Sequence, residues 1–352
     1  RRRRRRRRGR DAYRVSGKPY IGGQAVIEGV MMRAPGCMSV AVRKPDGTIA
    51  ITEGPMRSTV ARSRIWKLPF IRGIATLGES LGLGYRALRF SADQQLSEEE
   101  RAEAGEGSGK GMMVWTTIFA LVLFIVLPQL ATEGTSRLFG VELAVDHWSF
   151  HAVTGGFKLL IFTLYVVLIS RLPDIRRVFQ YHGAEHKTIF AYEAKLELTV
   201  DNVRKQSKLH PRCGTTFLVV VIFVSVIAGS LVTPLVMPEW ATGRFEQFVI
   251  TLLVRIALLP PIAAVSYELQ RLSARYCTTG PLQVILWPGF LFQKITTREP
   301  DDAQIEIAIT AMKTAIWRES VGDGAETDEE PLIFESFDSF LDGASSLRPQ
   351  KA

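Results

Sequence analysis

The chain has 352 residues and a net charge of +9, and eight positive charges belong to one run, Arg1 to Arg8. Without that run the excess is a single charge, so the basic isoelectric point does not describe a nucleic-acid binder along its whole length. Three cysteines exclude a disulfide framework, and a mean hydropathy of only +0.10 averages two polar ends with long uncharged stretches.

In chain order, residues 1–19 read as a disordered Arg-rich tail, with anionic lipid or another polyanion such as RNA as its partner. The opening residues carry no signal-peptide pattern. Residues 20–60 form a β-rich segment. Ser39–Lys44 and Thr48–Thr52 alternate with period two around Asp46-Gly47, a hairpin signal, and Gly22–Arg33 supplies a third strand. Over residues 65–90 apolar side chains mix with Arg72, Glu79, Arg86 and Arg89, which predicts an interfacial helix on a membrane surface. A Glu- and Gly-rich linker follows over residues 91–111.

Residues 112–267 are expected to be the transmembrane core. Met112–Leu130 has 19 uncharged residues and Thr215–Met237 has 23, enough to cross about 30 Å of hydrocarbon at about 1.5 Å per residue. Gly155–Leu172 is a second span if Lys158 snorkels, and Phe245–Tyr267 is a fourth, interrupted by Glu246, Arg255 and Pro260-Pro261. The fold class is therefore an α-helical multi-pass membrane protein of about four spans. Ala131–Thr154 and Pro238–Arg244 each carry one Lys or Arg, whereas Arg171–Gly214 carries nine. By the positive-inside rule the latter loop and both termini are cytoplasmic. The membrane is the cell (inner or plasma) membrane, with an organellar (plastid) membrane as the alternative. Residues 268–318 hold an interfacial segment, Pro281–Ile295, too short and Pro-broken to cross, and a helix over Ala303–Arg318 capped by Asp301 or Asp302. Residues 319–352 carry nine acids against two bases and read as an acidic disordered tail.

The cytoplasmic loop 171–214 concentrates the rare residue types. His182-Gly-Ala-Glu185-His186 lies in a helix-compatible stretch, so both imidazoles fall on one face and can share an ion. The order H-x-x-E-H is that of inverted zinc peptidases, in which the histidines bind Zn²⁺ and the Glu is the general base. His210-Pro-Arg-Cys213 adds a second pair with ligand spacing. Four ligands, His182, His186, His210 and Cys213, make a closed structural tetrahedron. A site of three ligands, with Glu193 or Glu268 as the carboxylate, is instead open and catalytic. The alternative without metal has the histidines bonded to phosphates or carboxylates. Arg255 near the bilayer centre is a further candidate, as a functional cation or a packing ion pair. Glu28 and Arg33 flank the Val-Met-Met run as candidate site residues or plain strand charges.

Gly22–Arg33, Pro69–Gly73, Arg177–Lys187, His210–Thr215, Ser266–Glu268 and Thr296–Pro300 resemble, in order, motifs of the bacterial YqhQ family, a domain of unknown function. The resemblance runs from about Gly22 to about Met312 and implies a multi-pass membrane protein often labelled a predicted metal-dependent enzyme. Two functions are consistent with the residues. One is a membrane-embedded, Zn-type metal-dependent hydrolase, with Glu185 as base. The other is a non-enzymatic membrane scaffold stapled by a structural His3Cys zinc site.

Overall fold

The computed structural model describes residues 14–15, 18–56, 58, 64–97, 100, 108–141, 143–277, 281–322 and 330–346. The Arg1–Arg8 run lies outside them. After a two-residue ladder, Arg14–Val15 with Lys18–Pro19, the chain folds into an antiparallel meander. Its strands are β1 (Gly22–Val26), β2 (Gly29–Arg33), β3 (Cys37–Arg43) and β4 (Ile49–Pro55), with β5 (Leu332–Phe334) returning to pair with β4. The single strand expected over Gly22–Arg33 is thus a hairpin. Its turn places Glu28 at φ 52°, a conformation usually left to Gly or Asn, so no turn signal is written there. The Glu28 carboxylate is held in place by the Arg177 guanidinium and by the Tyr181 hydroxyl, which donates at 3.3 Å.

Both faces of the sheet are covered, which is why β3 is buried nearly throughout. Met38, Val40 and Val42 face α1 (Ile71–Gln95), where Leu83 and Ala87 complete a small core. Cys37, Ser39 and Ala41 face α11 (Asp302–Val321), and the Cys37 thiol and Ser39 hydroxyl donate to the carbonyls of Ala315 and Ala311. Helix α11 starts at Asp301, whose carboxylate accepts from the Gln304 N–H at 2.8 Å while Gln304 returns the bond to Asp301, a capping box. Burial and the neighbouring Glu319 and Glu53 carboxylates push the Cys37 thiol up to about 12, so it stays protonated.

Helix α1 buries one side on the sheet and exposes Ile74, Leu81, Tyr85 and Leu88 on another. Its first turn is tied to the bilayer part by the Arg72–Glu268 ion pair. The bilayer part consists of α2 (Ser108–Leu121), a π-helical turn (Val122–Val126) and α3 (Leu127–Phe139), then α4 (Trp148–Ile169). Between α4 and the next long apolar helix the chain forms α5 (Pro173–Glu193) and α6 (Val200–Arg204). Then come α7 (Gly214–Val236), α8 (Arg244–Ala257) and α9 (Leu259–Tyr276). Val114–Phe139, α4 and α7 are each long and apolar enough to cross a bilayer. The α8–α9 pair, bent by 48°, makes a fourth if it counts as one span. The first of these helices runs nine residues beyond the expected Leu130. Pro128 sits in the first turn of α3 and does not break it, so Glu133 and Arg137 are helical residues rather than loop charges.

The helices α5 and α11 pack against the sheet, with α6 seated on those two helices, around Tyr181, Ala184, Ile189, Met32, Ile51 and Ile305. A 3₁₀ turn (Pro281–Leu286) leads into α10 (Trp287–Thr296), whose Trp287 and Leu291 remain exposed. The segment read as an acidic tail is partly built into this core, because α11 continues to Val321 and β5 is followed by α12 (Phe337–Ser346). Leu332, Phe334, Phe337, Phe340 and Leu341 carry that packing, apolar residues hidden among acids in the charge average. Phe340 is 1% exposed. Replacing it with Ala should lower stability by about 3–5 kcal/mol, measured as a reduced unfolding midpoint of the detergent-solubilised chain. A midpoint equal to wild type would show that the segment does not anchor the sheet.

Candidate metal centre

Helix α5 carries His182, Glu185 and His186. The i, i+4 spacing sets the two imidazoles on one face, with ring centroids 4.4 Å apart. Cys213 comes from a different element. It is the N-cap of the membrane helix α7, and its sulfur accepts from the Thr215 N–H at 3.5 Å at the positive end of that helix dipole. One ligand atom from each of His182, His186 and Cys213 lies within 4.8 Å of the others.

The orientation of the two rings follows from their second nitrogens. His182 Nδ1 is 2.9 Å from the Thr296 carbonyl, and His186 Nδ1 is 2.5 Å from the Lys208 carbonyl. A carbonyl only accepts, so each Nδ1 carries the proton and each Nε2 keeps its lone pair. Those lone pairs face the sulfur, with His182 Nε2 at 3.3 Å from Cys213 Sγ and His186 also in hydrogen-bond contact with the thiol. This is the outer-shell arrangement that prepares imidazoles to bind a cation. A tetrahedral zinc ion, with bonds of about 2.3 Å to S and about 2.0–2.1 Å to N, places S and N about 3.5 Å apart, close to the separation present here. Burial holds His186 below its ordinary value, so the ring is neutral and available as a ligand.

His210, expected as a fourth ligand, is turned the other way. Its Nδ1 accepts the Arg212 backbone N–H at 3.3 Å, which puts the proton on Nε2, and Nε2 lies 3.6 Å from a Glu193 carboxylate oxygen. Burial takes this imidazole down to about 4, partly opposed by the charge of Glu185. Glu193 pairs with the Arg212 guanidinium and does not join His182 and His186. Glu185 is 5% exposed. Burial pushes its carboxyl up, and His182 and His210 pull it back. Strand β1 passes directly over it, and a Cβ on Gly23 would stand 2.7 Å from Glu185 Cγ.

The other sequence candidates lie elsewhere. Glu268 is taken up by Arg72 and accepts the Phe70 N–H at 3.3 Å. Glu28 serves the β1–β2 turn. Arg33 joins the sheet to α1 through Glu79 at 2.8 Å and Ser80 at 3.0 Å. Arg255 lies inside the bilayer helices, buried to 7% exposure. Sequence reasoning missed Gln293, whose amide clamps the ligand loop by accepting from His210 N at 2.8 Å and donating to His210 O at 2.8 Å and to Thr216 at 3.2 Å. It also missed Lys187, buried in α5, which donates to the Arg204 carbonyl at 2.8 Å and pairs with Glu299. A charged residue directly after the helical histidine motif was the available signal.

Fold and site together define a class: a multi-spanning membrane protein with a buried His-His-Cys group, able to hold a metal ion, where a spanning helix begins. The chain belongs to the DUF1385 family, described as a protein of unknown function, whose model matches residues 68–318. The uncharacterized protein YqhQ of Bacillus subtilis (strain 168) is 32% identical over 327 residues, covering 90% of this chain and 98% of that one. No solved structure matches the chain.

The contact between Gly23 and Glu185 makes a direct prediction. Gly23→Ala should lower stability by about 1–3 kcal/mol through overpacking, and Glu185→Ala in the same chain should recover most of that loss. The check is a double-mutant comparison of unfolding midpoints, and additive losses would show that the two positions do not press on each other.

Proposed function

We propose that the chain is a metal-dependent hydrolase of the membrane, with His182, His186 and Cys213 holding a divalent cation, zinc in the first instance, and Glu185 acting as general base. The observation that carries this reading is the fixed proton placement. Two Nε2 lone pairs converge on a sulfur while the third histidine presents an N–H, so the chain supplies three ligands and leaves a fourth position open. Catalytic zinc sites have that form, whereas structural ones are closed by four protein ligands. The scaffold alternative needs His210 as the fourth ligand, and the lone pair it would use is engaged by Arg212.

A divalent cation at this group supplies Lewis acidity and makes water easier to deprotonate. The remaining chemistry belongs to the chain. Glu185 takes the proton from the attacking water; its burial raises the carboxyl toward the working pH, which suits a group that accepts and then returns a proton. The Thr296 and Lys208 carbonyls keep both ligand rings in register. Strand β1, approaching closely at Gly23, shields the carboxyl from bulk solvent. The His210 Nε2–H faces the carboxylates and stabilises negative charge beside the reacting centre. Cys213 at the first turn of α7 sets the site at the edge of the bilayer, so substrate arrives from the lipid or from the adjoining face. By loop charge that face is cytoplasmic, with both termini on the same side of the cell membrane.

The test is metal analysis of the chain purified without chelator, combined with complementation of a null strain. Wild type should carry about one divalent ion per chain. His186→Ala and Cys213→Ser should lose it. Glu185→Gln should keep the ion and fail to complement. Full complementation by Glu185→Gln would remove the general-base role, and absence of metal from the wild type would remove the metal reading.

A further inference from the structure

A second polar group lies inside the bilayer helices, away from the His-His-Cys centre. Each of four helices contributes a stripe at helical spacing. Gln129, Thr132 and Glu133 lie on α3; His151, Thr154 and Lys158 on α4; Ser225, Gly229 and Thr233 on α7; Thr251 and Arg255 on α8. The stripes meet. Thr132 and Thr154 hydroxyls are 3.0 Å apart, Gln129 donates to the Phe248 carbonyl at 3.1 Å, and Lys158 donates to Ser225 at 3.3 Å. A Cβ on Gly229 would stand 2.7 Å from His151 Nδ1.

Arg255 stands out within this group. It is 7% exposed and stacks over the Phe150 ring at 5.6 Å. Among the described residues its Nη1 is fully buried and has no hydrogen-bond acceptor. The hydroxyls of Thr233 and Thr251 are likewise buried and unpartnered, as is the Gln129 carbonyl oxygen. Glu133, the acid in its electrostatic range, is not within ion-pair distance, while Lys158 and His151 lie in range on the same side of the balance. Arg255 is the twelfth residue of α8 and its guanidinium meets Phe150 in the first turn of α4, while Lys158 and Ser225 are at the middle of α4 and α7. Ser225 is twelve residues from Cys213 along α7, about 18 Å along the helix axis at about 1.5 Å per residue.

A guanidinium without a counter-ion is strongly disfavoured in hydrocarbon, and ionisable groups persist there where they meet a partner or a ligand. We propose that Arg255, Thr233 and Thr251 form an intramembrane binding site for a phosphate oxyanion. A single anionic group supplies the partner that the buried Arg255 Nη1 lacks. Donors on two helices, rather than one planar fork alone, suit a tetrahedral phosphate better than a planar carboxylate. The phosphate belongs either to an anionic phospholipid headgroup or to a free phosphate ion.

The experiment uses the full chain, delipidated in a neutral detergent. Binding is followed with radiolabelled inorganic phosphate, with acetate as the planar control, and by native mass spectrometry with phosphatidylglycerol, with phosphatidylcholine as the zwitterionic control. Wild type should bind one of the two phosphate probes at least tenfold more tightly than its control, and the probe that binds identifies the source. Arg255→Gln should weaken that binding at least tenfold, and Arg255→Lys, which keeps the charge without the fork, by less. Thr251→Val and Thr233→Val are close in shape and keep the test valid if Arg255→Gln fails to fold; each should weaken binding several-fold with an unchanged elution profile. No preference for either phosphate probe over its control, or equal binding by wild type and all the folded variants, would overturn the site.

Discussion

The close approach of the chain at Arg298 to helix α5 is the contact on which the rest of the candidate metal centre depends. A Cβ on Gly183 would stand 2.0 Å from the Arg298 carbonyl oxygen, so glycine alone permits this distance. The Arg298 N–H donates to the Phe179 carbonyl at 2.8 Å, and the same segment carries the Thr296 carbonyl that orients His182. Each position of His182-Gly-Ala-Glu-His186 then has its own task. The histidines present their Nε2 atoms, Gly183 admits the neighbouring backbone, Ala184 fills the core without displacing it, and Glu185 lies under β1. A larger residue at 183 would separate α5 from the carbonyl that fixes the His182 tautomer, and the first ligand would lose its direction.

Much of this was legible in the sequence, and the exceptions have physical causes. Long uncharged runs announce bilayer helices because hydrocarbon admits few charges, and i, i+4 histidines on a helical stretch announce a shared face. What could not be read was direction. His210 has ligand spacing from Cys213, yet its ring is turned by the Arg212 N–H and Glu193, partners whose proximity arises only when the loop is clamped by Gln293 from α10. Glu268 looked available for the same reason in reverse: nothing in the string Ser266–Glu268 shows that Arg72, 196 residues earlier, occupies it. The Glu28 turn is concealed because the compensation for its positive φ, Arg177 and Tyr181, comes from α5. The ordered end of the chain escapes a charge average because five apolar residues are enough to dock a strand and a short helix.

The bilayer helices follow a different logic from the sheet layer. Between α1 and α11 the sheet is held by apolar contact on both faces, with Ser39 satisfied by a backbone carbonyl and Arg33 and Glu53 paired with side chains of the two helices. Among the spanning helices, lipid competes equally for apolar side chains, so packing specificity comes from small and polar residues. Gly155 and Gly229 allow close approach to Val226 and His151. The Thr132 and Thr154 hydroxyls meet at 3.0 Å across the α3–α4 interface, each also within hydrogen-bond reach of the carbonyl four residues before it, so their two protons are shared among three contacts. The same helices that look uniformly apolar in a hydropathy window therefore carry a polar seam facing inward, with the aliphatic residues turned toward lipid.

The His-His-Cys group joins these two environments. His182 and His186 stand on a helix packed against the sheet, whereas Cys213 opens a spanning helix, and its carbonyl accepts from Gln270 of α9 at 3.0 Å. Helix α9 in turn receives α1 through the Arg72–Glu268 ion pair and the close approach of Gly73 to Ala264. The sulfur and the two imidazoles can meet only when the sheet layer is seated on the membrane helices. The ligand group is therefore a product of the docking between the two parts rather than a property of the loop that contains its motif, and a fragment limited to that loop would hold the right residues without the geometry that points them at one another.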